Sequence, residues 1–213
     1  MYQIIFYTTL FIGIAPLVVL FTKKRAFDKT HPIVPFIWLT AIATLYEFTG
    51  TGLLKINTNY WFQFYSLFEF LTLFYFFYRL SEYIYTLIYR TLMLLFVASY
   101  LISLFVWSDT DKLISMTINK IFMSCFIFIA VYLWFKSLFK NVEILNLWKH
   151  DNFYFVSAFF IYYFATFLLF LFGNVVFDIS IYVTDYWLVN VIATLILRIL
   201  LITGIWNMKK PLR

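Results

Sequence analysis

The chain has one cysteine, two histidines, five glycines and four prolines, and only 12% of it is charged. Each scarcity excludes something. The lone Cys125 lies in an apolar segment, so there is no disulfide framework and no cysteine-built metal cluster. His31 and His150 fall in short polar connections, which argues against a histidine metal centre within the apolar segments. No metal site and no cofactor is expected. There is no G-x-S-x-G, no H-E-x-x-H and no glycine-rich phosphate loop, which removes the common signatures of hydrolases, zinc proteases and nucleotide-binding enzymes. Internal repeats of the kind that mark many transporters, and low-complexity segments, are absent as well. The charged fraction is half the roughly 25% of ordinary soluble domains.

What fills the sequence is apolar: 64% hydrophobic and 25% aromatic residues. Such a composition reads as an integral membrane protein. The formal charge of +6 could suggest nucleic acid, but the basic residues cluster at the ends of apolar segments. No basic groove with base-stacking aromatics is present, so the lipid bilayer is the expected partner and nucleic acid is not.

Apolar runs of about 20 residues occur seven times: 2 to 22, 33 to 54, 60 to 80, 86 to 107, 113 to 136, 153 to 174 and 184 to 206. They predict an all-α bundle of seven transmembrane helices, with residues 1 to 213 forming a single domain. The connections are too short for a soluble domain. The longest, Ser137 to Asn152, carries Leu138, Phe139, Val142, Leu145 and Trp148 at near-helical spacing beside Lys140 and Lys149, a pattern expected to lie along a membrane surface. Lys23, Lys24 and Arg25 follow the first run and no basic residue precedes it, as for an uncleaved span with its amino terminus outside.

Basic residues are retained on the cytoplasmic side, and their distribution is lopsided. One side has Lys23, Lys24, Arg25, Lys29, Arg79, Arg90, Lys136, Lys140, Lys149, Lys209, Lys210 and Arg213; the other has only Lys55 and Lys112, among the acids Asp109, Asp111, Asp178 and Asp185. Twelve against two predicts the amino terminus outside and the carboxyl terminus in the cytoplasm. Trp61, Trp107 and Trp187 fall at predicted outer ends, and Trp38, Trp134, Trp148 and Trp206 at or beside inner ones, as interfacial tryptophans should.

Four ionisable residues remain inside the runs: Glu47, Glu69, Lys120 and Arg198. A charge in lipid is costly unless paired, and here two acids face two bases. At about 1.5 Å per residue, Glu47, Glu69 and Lys120 share a depth roughly 10 to 13 Å below the outer ends of their helices. Arg198 starts deeper and can reach toward Glu69 or toward the cytoplasm. Helical spacing puts Tyr65 and Thr72 on the face of Glu69, puts Asn190 and Thr194 on the face of Arg198, and clusters Ser115 and Asn119 beside Lys120. Tyr46, Thr49, Tyr163 and Thr166 are available from the second and sixth runs. The expected result is a buried polar pocket in the outer half of the bundle, built from Glu47, Glu69, Lys120, Arg198, Tyr65, Asn119, Asn190 and Thr194. The competing expectation is helix-to-helix pairing with no ligand. Gly50 and Gly52 are expected to permit close packing or to loosen the end of the second span. No lysine in the last run could form a retinal Schiff base, and the guanidinium of Arg198 cannot replace one.

The stretch Tyr65-x-x-x-Glu69-Phe70, preceded by Asn57 or Asn59, and Trp187-x-x-Asn190 before a helix ending near Trp206 resemble a family of seven-span proteins of Bacteroidota. Its members are often encoded beside sensor histidine kinases. The resemblance covers most of the chain and implies a signalling or accessory role in the bacterial cytoplasmic (inner) membrane, with a histidine kinase or another membrane protein as partner. The family has a histidine where this chain has Asn190, so no proton-switch role is carried over to that position.

The expected function is therefore a sensor-like or accessory multi-pass protein, with a pocket for a small ligand or lipid and a basic cytoplasmic face for a partner. Three alternatives stay open: a proton-coupled or small-solute transporter, a structural subunit of a larger complex, and an intramembrane lipid-modifying enzyme. No catalytic residue is assigned.

Overall fold

A computed structural model of the protein describes residues 2 to 56, 59 to 108, 112 to 140, 146 to 172 and 183 to 208. They form helices α1 Tyr2–Thr22, α2 Val34–Tyr46, α3 Asn59–Leu80, α4 Thr86–Val106, α5 Lys112–Lys140, α6 Asp151–Leu171 and α7 Val183–Asn207, with no strand among the described residues. Asn57, Asp109, Asp111, Val142, Leu145, Asp178, Lys209, Lys210 and Arg213 lie outside them, as do the side chains of Asn59, Lys112, Asp185 and Trp187.

Local chemistry sets several boundaries. Pro35 stands in the first turn of α2, where its missing N–H costs nothing. The end of α1 closes through Lys24, whose φ is 57°. The Lys24 amide donates to the Phe21 carbonyl at 2.9 Å and the Arg25 amide to the Leu20 carbonyl at 2.9 Å. This is the Schellman pattern, with lysine where glycine is usual, and it turns Arg25 back against the bundle. Beyond Tyr46, α2 rewinds into a π-helical segment, Glu47–Leu53. That segment contains the two glycines in question. A Cβ on Gly50 would meet only the Tyr46 ring, at 3.6 Å, so this glycine is not holding a neighbouring helix close; it sits where the winding changes. α5 extends to Lys140, which makes the first part of the expected surface segment a continuation of that helix. Leu147–Lys149 is a short 3-10 turn before α6.

Helix contacts run α1 to α2, α2 to α3, α3 to α5, α5 to α6, α6 to α7 and α7 back to α1, while α4 packs outside on α3 and α5. One end of the ring interior is filled with phenylalanine. Phe36, Phe70, Phe76, Phe77, Phe126, Phe155 and Phe159 are all buried, and Phe36 meets Phe159 edge to face at 4.8 Å. Gly204 lets α7 lie directly against Phe155, whose ring atoms a Cβ there would strike. Because that ring is itself held by its neighbours, Gly204→Ala is expected to cost about 1–3 kcal/mol by overpacking, measured by unfolding in mixed micelles.

Thr86–Val106, Ile114–Lys140, Asp151–Leu171 and Leu188–Asn207 are long and apolar enough to cross a membrane, and Phe11–Thr22 is a shorter apolar helix. α3 is not among them. Tyr60, Tyr65, Tyr75 and Tyr78, together with Gln63, Glu69 and Arg79, lower its mean hydropathy, although Phe70, Leu73, Phe76 and Phe77 make it part of the core. The outer surface of α4 is apolar and uncovered: Leu87, Leu94 and Phe105 are 79%, 71% and 89% exposed. Soluble proteins rarely tolerate such a surface, whereas acyl chains suit it.

Candidate functional site

Glu69 is 3% exposed and Lys120 is 6% exposed, yet neither lacks a partner. The Lys120 ammonium donates to Glu69 Oε2 at 2.7 Å, and the Tyr163 hydroxyl donates to Glu69 Oε1 at 2.9 Å. Both carboxylate oxygens thus receive a donor. The rings of Tyr65, Tyr162, Tyr163 and Phe170 surround the ammonium, with centroids 5.8 to 5.9 Å away. This is near the outer limit of cation–π attraction, but four faces together replace much of the lost hydration. Helix geometry accounts for the meeting: α3 and α5 run in the same direction, so counting from one end Gln63, Ser66 and Glu69 meet Ser115, Asn119 and Lys120 in order.

A second polar network lies one to two turns nearer that end. Asn119 Nδ2 donates to Gln63 Oε1 at 3.1 Å and to Ser66 Oγ at 3.2 Å. The Gln63 amide donates to Ser115 Oγ, and Ser115 donates to the Ser103 carbonyl at 2.8 Å. α3, α4 and α5 are stitched together there by uncharged groups. Two buried atoms are left over: Asn119 Oδ1, an acceptor, and Trp107 Nε1, a donor, have no partner among the described residues. Such atoms are uncommon and costly.

Both line a cavity of about 290 Å³. Of the eight residues expected from the sequence, Glu47, Lys120, Arg198, Tyr65, Asn119, Asn190 and Thr194 line it. Glu69 stands behind this wall, joined to it through Lys120. Glu47, at the start of the π segment, is exposed. Arg198 turns toward α1 and α2: its Nη2 donates to Thr44 Oγ1 at 3.3 Å. On α7, Thr194 Oγ1 donates to the Asn190 carbonyl at 2.7 Å, and Tyr162 donates to Asn190 Oδ1 at 3.4 Å.

Some expected members are elsewhere. The Thr72 hydroxyl bonds back to the Phe68 and Glu69 carbonyls of its own helix, and Thr49 and Thr166 likewise bond to Leu45 and Tyr162. None of the three lines the cavity. Residues not foreseen include Gln63, Ser66 and Thr44. The spacing of Gln63, Ser66 and Glu69, at three-residue steps, was the available signal. Gly13 was also unforeseen: a Cβ there would come within 2.5 Å of Thr44 Oγ1 and 2.9 Å of Arg198 Cζ, so the bare backbone of α1 makes room for the guanidinium.

Together these features define a helical membrane protein whose aromatic bundle holds a largely apolar cavity with a few charged and polar groups in its wall. Compared with protein-family models, with curated proteins and with solved structures, the chain matches none.

Proposed function

We propose that the protein is a sensor-like or accessory component of a bacterial cytoplasmic membrane that binds a small ligand in this cavity and engages a partner at its opposite, basic end. In this reading all seven helices cross the membrane, the amino terminus is outside, and the cavity opens to the outer side. The observation that carries it is the pair of buried atoms, Asn119 Oδ1 and Trp107 Nε1, that have no partner among the described residues and belong to two residues lining one cavity. A purely structural polar cluster would satisfy both; a binding site leaves them for the ligand. The cavity also combines apolar walls with a few convergent polar groups, the usual makeup of a small-molecule site. The resemblance to proteins encoded beside histidine kinases suggests the partner.

Transport is the competing reading, since Glu47 and Arg198 give the cavity charges of both signs. The phenylalanine packing beyond it counts against a continuous polar route, and a transporter would need those rings to part. Thiol labelling tests the proposal. In a Cys125→Ala background, Met116→Cys or Thr194→Cys is expected to react with a membrane-impermeant thiol reagent added outside, while Ala158→Cys is expected not to react from either side. Labelling of position 116 or 194 from the cytoplasmic side alone, or from neither side, would remove the outward-opening pocket.

A further inference from the structure

At the other end of the bundle, where α1 and α7 finish and α2 and α6 begin, lies a separate cleft of about 220 Å³. Arg25 is central to it. The α1 cap described above turns this side chain inward until it is only 7% exposed, and its Nη2 has no partner among the described residues. A guanidinium presents five donors in a fixed fork suited to carboxylate or phosphate oxygens. Lys149 and His150, both exposed, line the same cleft from the connection before α6.

Two carboxylates share the lining, and each is already engaged. Asp28 Oδ1 accepts from the Thr30 amide at 2.9 Å and from the Thr30 hydroxyl at 2.5 Å. Those hydrogen bonds, from the hydroxyl above all, hold its carboxyl below the usual range, so it stays ionised. Asp151 Oδ1 accepts from the Asn152 amide at 2.9 Å, and its Oδ2 meets His31 Nε2 at 3.2 Å. The carboxylates therefore have hydrogen-bond partners, whereas Arg25 Nη2 has none among the described residues. They also limit the charge the cleft can accept. Among the described lining residues, Arg25 and Lys149 balance Asp28 and Asp151, which leaves the histidines as the further source of positive charge there. A phosphate monoester, carrying about −1.5 to −2 at neutral pH, fits this balance poorly; a singly charged phosphodiester fits it well.

The position of the cleft supplies the source. The Trp38 indole donates to the Ala26 carbonyl at 2.7 Å, and the Lys23 ammonium sits 4.0 Å over the Trp206 ring. Tryptophan and lysine at helix ends mark the headgroup layer, and basic pockets at that depth attract anionic lipids. We propose that this cleft binds the phosphodiester of an anionic phospholipid head group, with Arg25 as its buried ligand and Lys149 and His150 closing over it. The inference is independent of what occupies the cavity at the opposite end.

Native mass spectrometry of the full chain, purified in detergent and offered phosphatidylglycerol and phosphatidylcholine together, tests it. The protein is expected to keep phosphatidylglycerol in preference, and Arg25→Gln or Lys149→Gln to reduce that retention about tenfold, the loss of one charge-assisted contact. Lys55→Gln, at the other end, is expected to leave it unchanged. Lys149 is exposed, so its variant decides the matter even if Arg25→Gln fails to fold. Retention unchanged in Lys149→Gln, or no preference for the anionic lipid, would overturn the proposal. Displacement of the lipid by inorganic phosphate at equal concentration would assign the cleft to a soluble anion and overturn the lipid assignment.

Discussion

Lys120→Met is expected to destabilise the bundle by about 3–5 kcal/mol, because it leaves the Glu69 carboxylate buried without its cation. The measurement is reversible unfolding in mixed detergent micelles at neutral pH. The size follows from geometry: Glu69 keeps the Tyr163 hydroxyl, 2.9 Å from Oε1, but loses the ammonium 2.7 Å from Oε2. One neutral donor does not replace a charge. Replacing both partners, Glu69→Met with Lys120→Met, is expected to recover most of the loss, since buried pairs are often no more stabilising than apolar residues of similar size. A Lys120→Met protein as stable as the parent would mean that the carboxylate reaches water or another cation.

The second large effect is expected at Phe70. Its ring stacks on Phe96 with centroids 3.6 Å apart and meets Phe126 edge-on at 5.1 Å, joining α3 to both α4 and α5. Phe70→Ala is expected to cost about 3 kcal/mol, the lower end of the range for a buried phenylalanine. The low end applies because in lipid the separated helices are already in apolar surroundings, leaving packing as the main loss. Unfolding in micelles measures this too, and Phe70→Leu should recover part of it. A cost below about 1 kcal/mol would place α4 outside the cooperative unit.

Charged residues in an apolar sequence are conspicuous, which is why much of the cavity was legible before any coordinates. Counting helical rise put Glu69 and Lys120 at one depth, and the parallel course of α3 and α5 brings those equal depths together. The i, i+4 steps from Asn190 to Thr194 to Arg198 likewise named one face of α7. Less visible were the neutral groups. Gln63 and Ser66 look like ordinary end-of-helix polar residues until Asn119 bonds to both. Threonines were over-assigned for a related reason: a hydroxyl on a helix can satisfy itself on the carbonyl four residues back, and Thr49, Thr72 and Thr166 do so.

Other features depend on neighbours and carry no local signal. Gly13 reads as a glycine in an apolar helix, and only the approach of Thr44 and Arg198 explains it. The direction of Arg198 was open because a long side chain on a helix has several reachable ends; α1 and α2 decide it. Membrane crossing was legible for α4 to α7 from length and apolar content. α3 escapes that criterion because tyrosine, glutamine and glutamate do its work in the interior. The π segment after Tyr46 was foreshadowed by Gly50 and Gly52, yet nothing in the spacing distinguished loosened winding from close packing.

The mutual dependence of Glu69 and Lys120 is best tested by a double-mutant cycle of Glu69→Gln, Lys120→Met and the two combined, with unfolding free energies measured under one set of conditions. Direct pairing predicts that the combined loss falls short of the summed single losses by about 2–3 kcal/mol. Losses that add to within about 0.5 kcal/mol would show that the two side chains do not sense each other, and the charged wall of the cavity would have to be abandoned.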